Sequence, residues 1–338
     1  MRKITFVLML ILGIYSQSQT VAFENLLQDK ISIRAIEIWD HKVWYAGTDS
    51  KFGYVDINDA KNSKQIQLSD KKLQFRTLAQ DKNSFYAINI ESPAYFFKIN
   101  KSDLTYEIIF TDTVKTAFYD ALHFDNGRFY TFSDPNKDLD LKFLEFNSNK
   151  KSYKFKYYND VKLNEGEAAF AASNTNIASS KDYLWLATGG KVSRILRLNL
   201  KNKKFEVFAT PIIQGESSQG IYSIDFSSNE FGIAVGGDYT KQSANINTIA
   251  TMHDAGKTWE VQASGKNAGY MTCVRIKPNT NGKEIVAIGD QHISYSNDFG
   301  KTWKVISEEK GLYVAEWISE NEVVLAGKDR ILKMTIIR

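Results

Sequence analysis

The chain has 338 residues with 43% hydrophobic content, enough for a sizeable core. Aromatic residues reach 13%, with 17 Tyr, 21 Phe and 6 Trp against 4 Pro, which suits many half-buried strands. A net charge of +4 from 43 basic and 39 acidic residues argues against nucleic acid or an anionic membrane surface as partner.

The first 18 residues read as a cleaved secretory signal. Arg2 and Lys3 form a basic start, and Ile4 to Ile14 form an apolar run short of the ~20 residues that a membrane span needs. Ser16 and Ser18 supply small residues at −3 and −1 of a cut after Ser18. No cysteine sits there for a lipid anchor. The expected product is a secreted or periplasmic protein, residues 19–338, with no membrane span.

From there the chain alternates apolar and polar residues in short runs, the period of strands. One phrase recurs: "VWYAGTD" (43–49), "FYAIN" (85–89), "FYTFSD" (129–134), "LWLATGG" (184–190), "GIAVGGD" (232–238), "IVAIGD" (285–290) and "VVLAGKD" (323–329). A strand precedes each copy, as in "IRAIEIW", "FRTLAQ" and "FYDALHF". One or two more follow, and the seventh unit lacks its fourth strand because the chain ends at Arg338. The segment "TVAFENLL" (20–27) belongs to no unit and is available to fill that gap. The expectation is an all-β, seven-bladed β-propeller, one domain over 19–338, with the N-terminal strand completing the last blade. The single cysteine, Cys273, lies in the apolar run "YMTCVRI" and reads as a core residue.

"HDAGKTW" (253–259) and "NDFGKTW" (297–303) are nearly the same seven residues. A phosphate loop needs a glycine five residues before its Gly-Lys-Thr glycine; Thr251 and Tyr295 stand there, and each segment falls between strands. They read instead as hairpin turns. Asp254 and Asp298 accept from nearby backbone, Gly256 and Gly300 supply positive φ, Thr258 and Thr302 open the next strand, and Trp259 and Trp303 plug the gap between sheets.

Ser296 to Trp303 resembles the Asp-box of bacterial neuraminidase repeats, Ser-x-Asp-x-Gly-x-Thr-Trp, in full, and Met252 to Trp259 resembles it except at Met252. "GEAAFAASNTNI" (166–177), "LWLATGG" and "GIAVGGDY" (232–239) are similar to a secreted bacterial propeller family related to photosystem II assembly and stability factors, often labelled oxidoreductase. The resemblance implies a propeller and an extracytoplasmic location; it implies no particular chemistry.

Propeller loops that join the second and third strands, or successive blades, cluster at one mouth of the central tunnel. That places Asp134, Asp238, Tyr239 and Asp290 after second strands, and Glu167 and Gln219 between blades. Arg34, Arg76 and Asp120 share one position in the inner strands, within "RAI", "RTL" and "DAL". "GGDY" is the leading candidate, with two glycines for close approach and an acid beside an aromatic.

The reading is a non-catalytic, monomeric propeller that binds an envelope protein or a glycan and uses no cofactor or metal. A sialidase-like glycoside hydrolase is the alternative, since Arg34, Arg76, Arg275, Tyr239, Glu167 and Asp238 supply its residue types. The neuraminidase Arg-Ile-Pro is, however, replaced by Arg34-Ala35-Ile36. An oxidoreductase follows from the family label alone; the four histidines, His41, His123, His253 and His292, are scattered over the repeat.

Overall fold

The repeats' second strands are buried along most of their length, and the fourth strands are not. Val43 to Gly47 and Ile285 to Ile288 are wholly buried, whereas Tyr106–Asp112 and Phe205–Ala209 face solvent along much of their length. A strand covered on both faces reads as a continuous apolar run, and a peripheral one does not. This burial gradient, from inner to outer strand, is that of sheets packed face to face around an axis.

The computed structural model describes residues 20–147, 156–158 and 161–337. The proposed signal, residues 1–18, lies outside them. Among the described residues there is no helix, hence none long and apolar enough to cross a membrane. The strands form antiparallel sheets in a β-propeller.

Counted by hydrogen-bonded sheets, the propeller has six blades, and the expectation of seven is corrected. Four sheets have four strands and two have six. The reason is the length of the first strand, Thr20–Trp39. Its first part pairs with the last strand, from Thr20 opposite Ile337 to Ser32 opposite Lys328. Its second part pairs with Lys42–Gly47, from Ile33 opposite Gly47 to Trp39 opposite Lys42. The backbone runs unbroken through both, so the first and last repeats merge in one six-stranded sheet. Reading each repeat as its own sheet overcounts by one.

Apolar clusters fill the spaces between neighbouring sheets. Trp44, Phe52, Phe85 and Phe97 share one, and Tyr86, Phe96, Tyr119, Phe129 and Phe146 share the next. Trp185 and Phe226 stack at 4.0 Å, with Trp259 edge-on to Phe226. Cys273 is buried in the cluster that joins the last sheets to the first.

The two similar hairpins close by the same bonds. Asp254 accepts from the Thr258 amide at 3.0 Å and hydroxyl at 2.7 Å; Asp298 accepts from the same groups of Thr302 at 2.9 and 2.6 Å. Gly256 and Gly300 sit at φ 81° and 77°. The indoles of Trp259 and Trp303 donate to the carbonyls of Gly256 and Gly300. The Gly300 amide donates to Ser296 Oγ; in the other hairpin the Gly256 amide donates to Met252 Sδ at 3.1 Å. A thioether is only a weak acceptor, yet it takes the hydroxyl's place without changing the turn.

Candidate functional site

Seven inner-strand segments line the axis: "RAI", "RTL", "DAL", "NIA", "YSI", "TCV" and "YVA". Their first residues are Arg34, Arg76, Asp120, Asn176, Tyr222, Thr272 and Tyr313. The pairing skips one residue at Arg34, Asp120, Tyr222 and Tyr313, so each is a β-bulge. A bulge interrupts alternation and re-aims its side chain.

The result is a mouth cavity of about 450 Å³, lined by Arg34, Arg76, Tyr222, Tyr239, Tyr270, Asp290 and Tyr313, among others. Tyr239 is half exposed, at 51%. Phe170 stacks on Tyr222 at 3.9 Å, and Tyr222 meets Tyr270 edge-on at 4.8 Å. The Arg34 guanidinium lies 3.9 Å from the centre of the Tyr313 ring. Asp290 accepts from Gln242 and Gln291, both at 3.2 Å.

The floor of this cavity is a segment of the chain itself. Ala172 O accepts from Arg34 at 2.9 Å and Ala171 O from Arg76 at 3.4 Å. Ser173 donates to Thr272 O, and Asn174 donates to Leu78 O and Leu122 O. Ile224 donates to Thr175 O. Residues 171–175 thus bond to five different inner strands and plug the axis. Their small side chains, in "AAFAASNT", fit a path where a larger residue would meet the facing strands.

Several candidates lie elsewhere. Glu167 is buried against Arg194, whose Nε and Nη2 reach its two oxygens at 2.8 and 2.7 Å. Gln219 donates to Asp238 at 3.3 Å. Asp238 is a loop staple: burial raises its pKa, but the Thr240 hydroxyl, Ser218, the Thr240 amide and Gln219 outweigh it and hold the carboxyl at about 2. The glycines of "GGDY" serve the chain's own packing, because a Cβ on Gly236 would lie 1.8 Å from Gly220 O and one on Gly237 2.9 Å from Tyr270 Cα. Arg275 pairs with Glu316 at 3.0 Å, away from the mouth. The residue types of a sialidase are therefore present but not assembled: Arg34, Arg76 and Tyr239 share the mouth, Glu167 and Arg275 do not.

Asp120 is fully buried, and neither of its oxygens has a hydrogen-bond partner. Burial, then the charge of Asp134, push its pKa well above the usual carboxylate range, with Arg76 acting against them. Burial raises Asp134 itself to about 6. A carboxyl whose folded pKa exceeds its unfolded value stabilises fully below the unfolded value, and that contribution is lost as pH rises through the folded pKa. Asp120→Asn is thus expected to be near neutral at pH 4 and to stabilise by about 1–2 kcal/mol at pH 8. Urea unfolding at both pH values measures this; a gain independent of pH, or a loss at pH 8, defeats it.

Tyr222, Tyr270, Tyr313 and Thr272 were not among the residues expected at the mouth. Aligning the inner strands gives three of them, since Tyr222, Thr272 and Tyr313 stand in register with Arg34. Tyr270 precedes its inner strand and carries no such signal.

No protein-family model matches the chain, and no curated protein matches it. Among solved structures it is similar to YCF48 bound to D1 peptide, at 12% identity over 94% of this chain and 97% of that one, TM-score 0.65. It is also similar to streptogramin B lyase, at 15% identity over 94% and 98%, TM-score 0.70. A third likeness is to the WD40 β-propeller domain of Doa1, at 12% identity over 93% and 96%, TM-score 0.63. At such identities a likeness speaks for architecture alone, and the architecture is that of the β-propellers.

Proposed function

We propose that this chain is a non-catalytic binding propeller whose ligand is an extended, acidic peptide segment of another protein, held in the mouth cavity. The observation that carries the reading is the lining itself. Two guanidinium groups stand beside a half-ring of aromatic side chains, with one exposed tyrosine at the rim. Arginine and tyrosine dominate the energetics of protein recognition, because they combine large contact area with directed hydrogen bonds. A peptide-bound propeller and a lyase share this fold, so the lining residues and not the fold favour binding over catalysis. Export belongs to the same reading, with residues 1–18 removed and the ligand in the envelope or outside the cell.

Selection of displayed peptides on the intact protein tests it. Enriched sequences are expected to carry acidic residues. Their affinity is expected to fall roughly tenfold or more in Arg76→Gln and in Tyr239→Ala, the latter with unchanged unfolding. Peptides that bind both variants as tightly as the parent, or a selection that enriches none, sink the proposal. N-terminal sequencing of the exported protein checks the cut: a start at Gln19 supports it, and an intact Met1 removes it.

A further inference from the structure

Below the plug the axis opens again. A second cavity, about 510 Å³, is lined by Glu37, His123, Ser179, Asp225, Arg275 and Glu316, together with Gln80, Trp317 and Phe124. In the aligned inner strands, Glu37, His123, Ser179, Asp225, Arg275 and Glu316 stand at one position, three residues beyond the mouth position, which is bulged in four of the six. The bulges let both layers face the axis. This volume lies in the ~300–1,000 Å³ range of small-molecule sites.

We propose that this lower cavity is a second ligand site, distinct from the mouth, and that it takes a small organic molecule carrying two ammonium groups.

Three carboxylates face a single guanidinium there. Arg275 is spent on Glu316 at 3.0 Å and on the Ala315 carbonyl at 3.1 Å. Asp225 accepts from the amides of Ile276 and Phe226. Glu37 accepts one bond, from Gln80 at 2.8 Å. The Gln80 amide oxygen is in turn held by Lys101, which also binds the Asp81 carbonyl and does not line the cavity. His123 meets Ser179 at 2.9 Å, and burial, with Arg275 beside it, holds its pKa down at about 4, so it adds no charge at neutral pH. Within the lining, Glu37 and Asp225 therefore make no ion pair of their own; Arg275 and, for Glu37, Lys101 act on them only from a distance. Burial pushes Glu37 up to about 7 and Asp225 to about 6, against the pull of Arg275 on both.

The carboxylates do not converge. Among the described residues no three His, Cys, Asp or Glu side chains come together to hold a metal ion. A point cation would satisfy one acid and leave another. A molecule with an ammonium group at each end satisfies two, and its carbon chain suits the walls of Trp317 and Phe124.

Calorimetric titration of the intact protein with 1,5-diaminopentane, at low salt and pH 7.5, is the test, with uncharged 1,5-pentanediol and magnesium chloride as controls. Diamine affinity is expected to exceed that of the diol by at least tenfold. Glu37→Gln and Asp225→Asn are each expected to weaken it roughly tenfold, and Tyr239→Ala at the mouth to leave it within twofold. Two acid variants are used so that the result stands if one fails to fold. The proposal is overturned if the diamine binds no better than the diol, if magnesium binds in its place, or if the folded acid variants bind as the parent does. Loss in Tyr239→Ala overturns it too, by assigning the diamine to the mouth. The mouth reading stands or falls separately, on the displayed peptides.

Discussion

Glu167→Ala is expected to destabilise the protein by about 3–5 kcal/mol, the cost of stranding one partner of a buried ion pair. The Glu167 carboxylate has no exposure, and Arg194 retains 18%. Besides Arg194, it accepts from the Thr188 hydroxyl at 2.7 Å and from the backbone and side-chain amides of Asn164, both at 2.8 Å. Alanine removes all of these acceptors at once and leaves a guanidinium, a hydroxyl and two amides without them. Glu167→Gln keeps the shape and one acceptor oxygen, so a smaller loss is expected. Urea unfolding of both variants decides the matter. A loss below about 1 kcal/mol for alanine, with peptide binding at the mouth abolished, returns Glu167 to the ligand-binding residues and refutes its structural role.

Glu167 also shows how far sequence reasoning reached. The acid after "LNEG" was visible, and so was its place between repeats, but nothing in the sequence joined it to Arg194, 27 residues on. Contacts within one hairpin were legible, because the residues that make them are neighbours: Asp254 with Thr258, Asp298 with Thr302. Contacts across the axis were not. The carbonyls of Ala171 and Ala172 facing Arg76 and Arg34 depend on a main-chain path that composition does not encode. The blade count failed for a related reason. Alternation marks where strands lie, but it does not say that one strand of 20 residues serves two neighbours in turn. "GGDY" was read toward a ligand, and its glycines face Gly220 and Tyr270 instead. Of that stretch, Tyr239 alone lines the mouth cavity. The lower cavity was missed altogether, although its six polar residues stand in register, two of them in the strands that gave Arg34 and Asp120.

The largest effect is expected from removing the strand that closes the ring. Deletion of residues 1–28 takes away the partner of the last strand from Ile337 back to Arg330, and deletion of 1–19 does not. The lost segment contributes buried Leu26 and the Glu24 carboxylate, 2.6 Å from Lys333. It also uncovers Ile331, Leu332, Met334 and Ile336, all at or below 5% exposure. Burial of each such side chain is worth about 1.5–3 kcal/mol, so losing part of that at several positions approaches the whole stability of an ordinary domain. The chain has one cysteine, so no disulfide holds its ends together. An unpaired apolar strand edge also templates aggregation. The shorter deletion is expected to unfold cooperatively. The longer one is expected to show no cooperative transition and to scatter light on warming, with rescue by a synthetic peptide of residues 20–31. Such rescue separates ring closure from a general need for chain length, because the peptide restores the pairing without restoring the connection. A soluble 29–338 protein melting within a few degrees of the 20–338 protein refutes the role given to this strand. In that event the bonds between the first repeat's strands and their neighbours would suffice, and the continuity that merges two repeats into one sheet would be a consequence of the fold and not one of its supports.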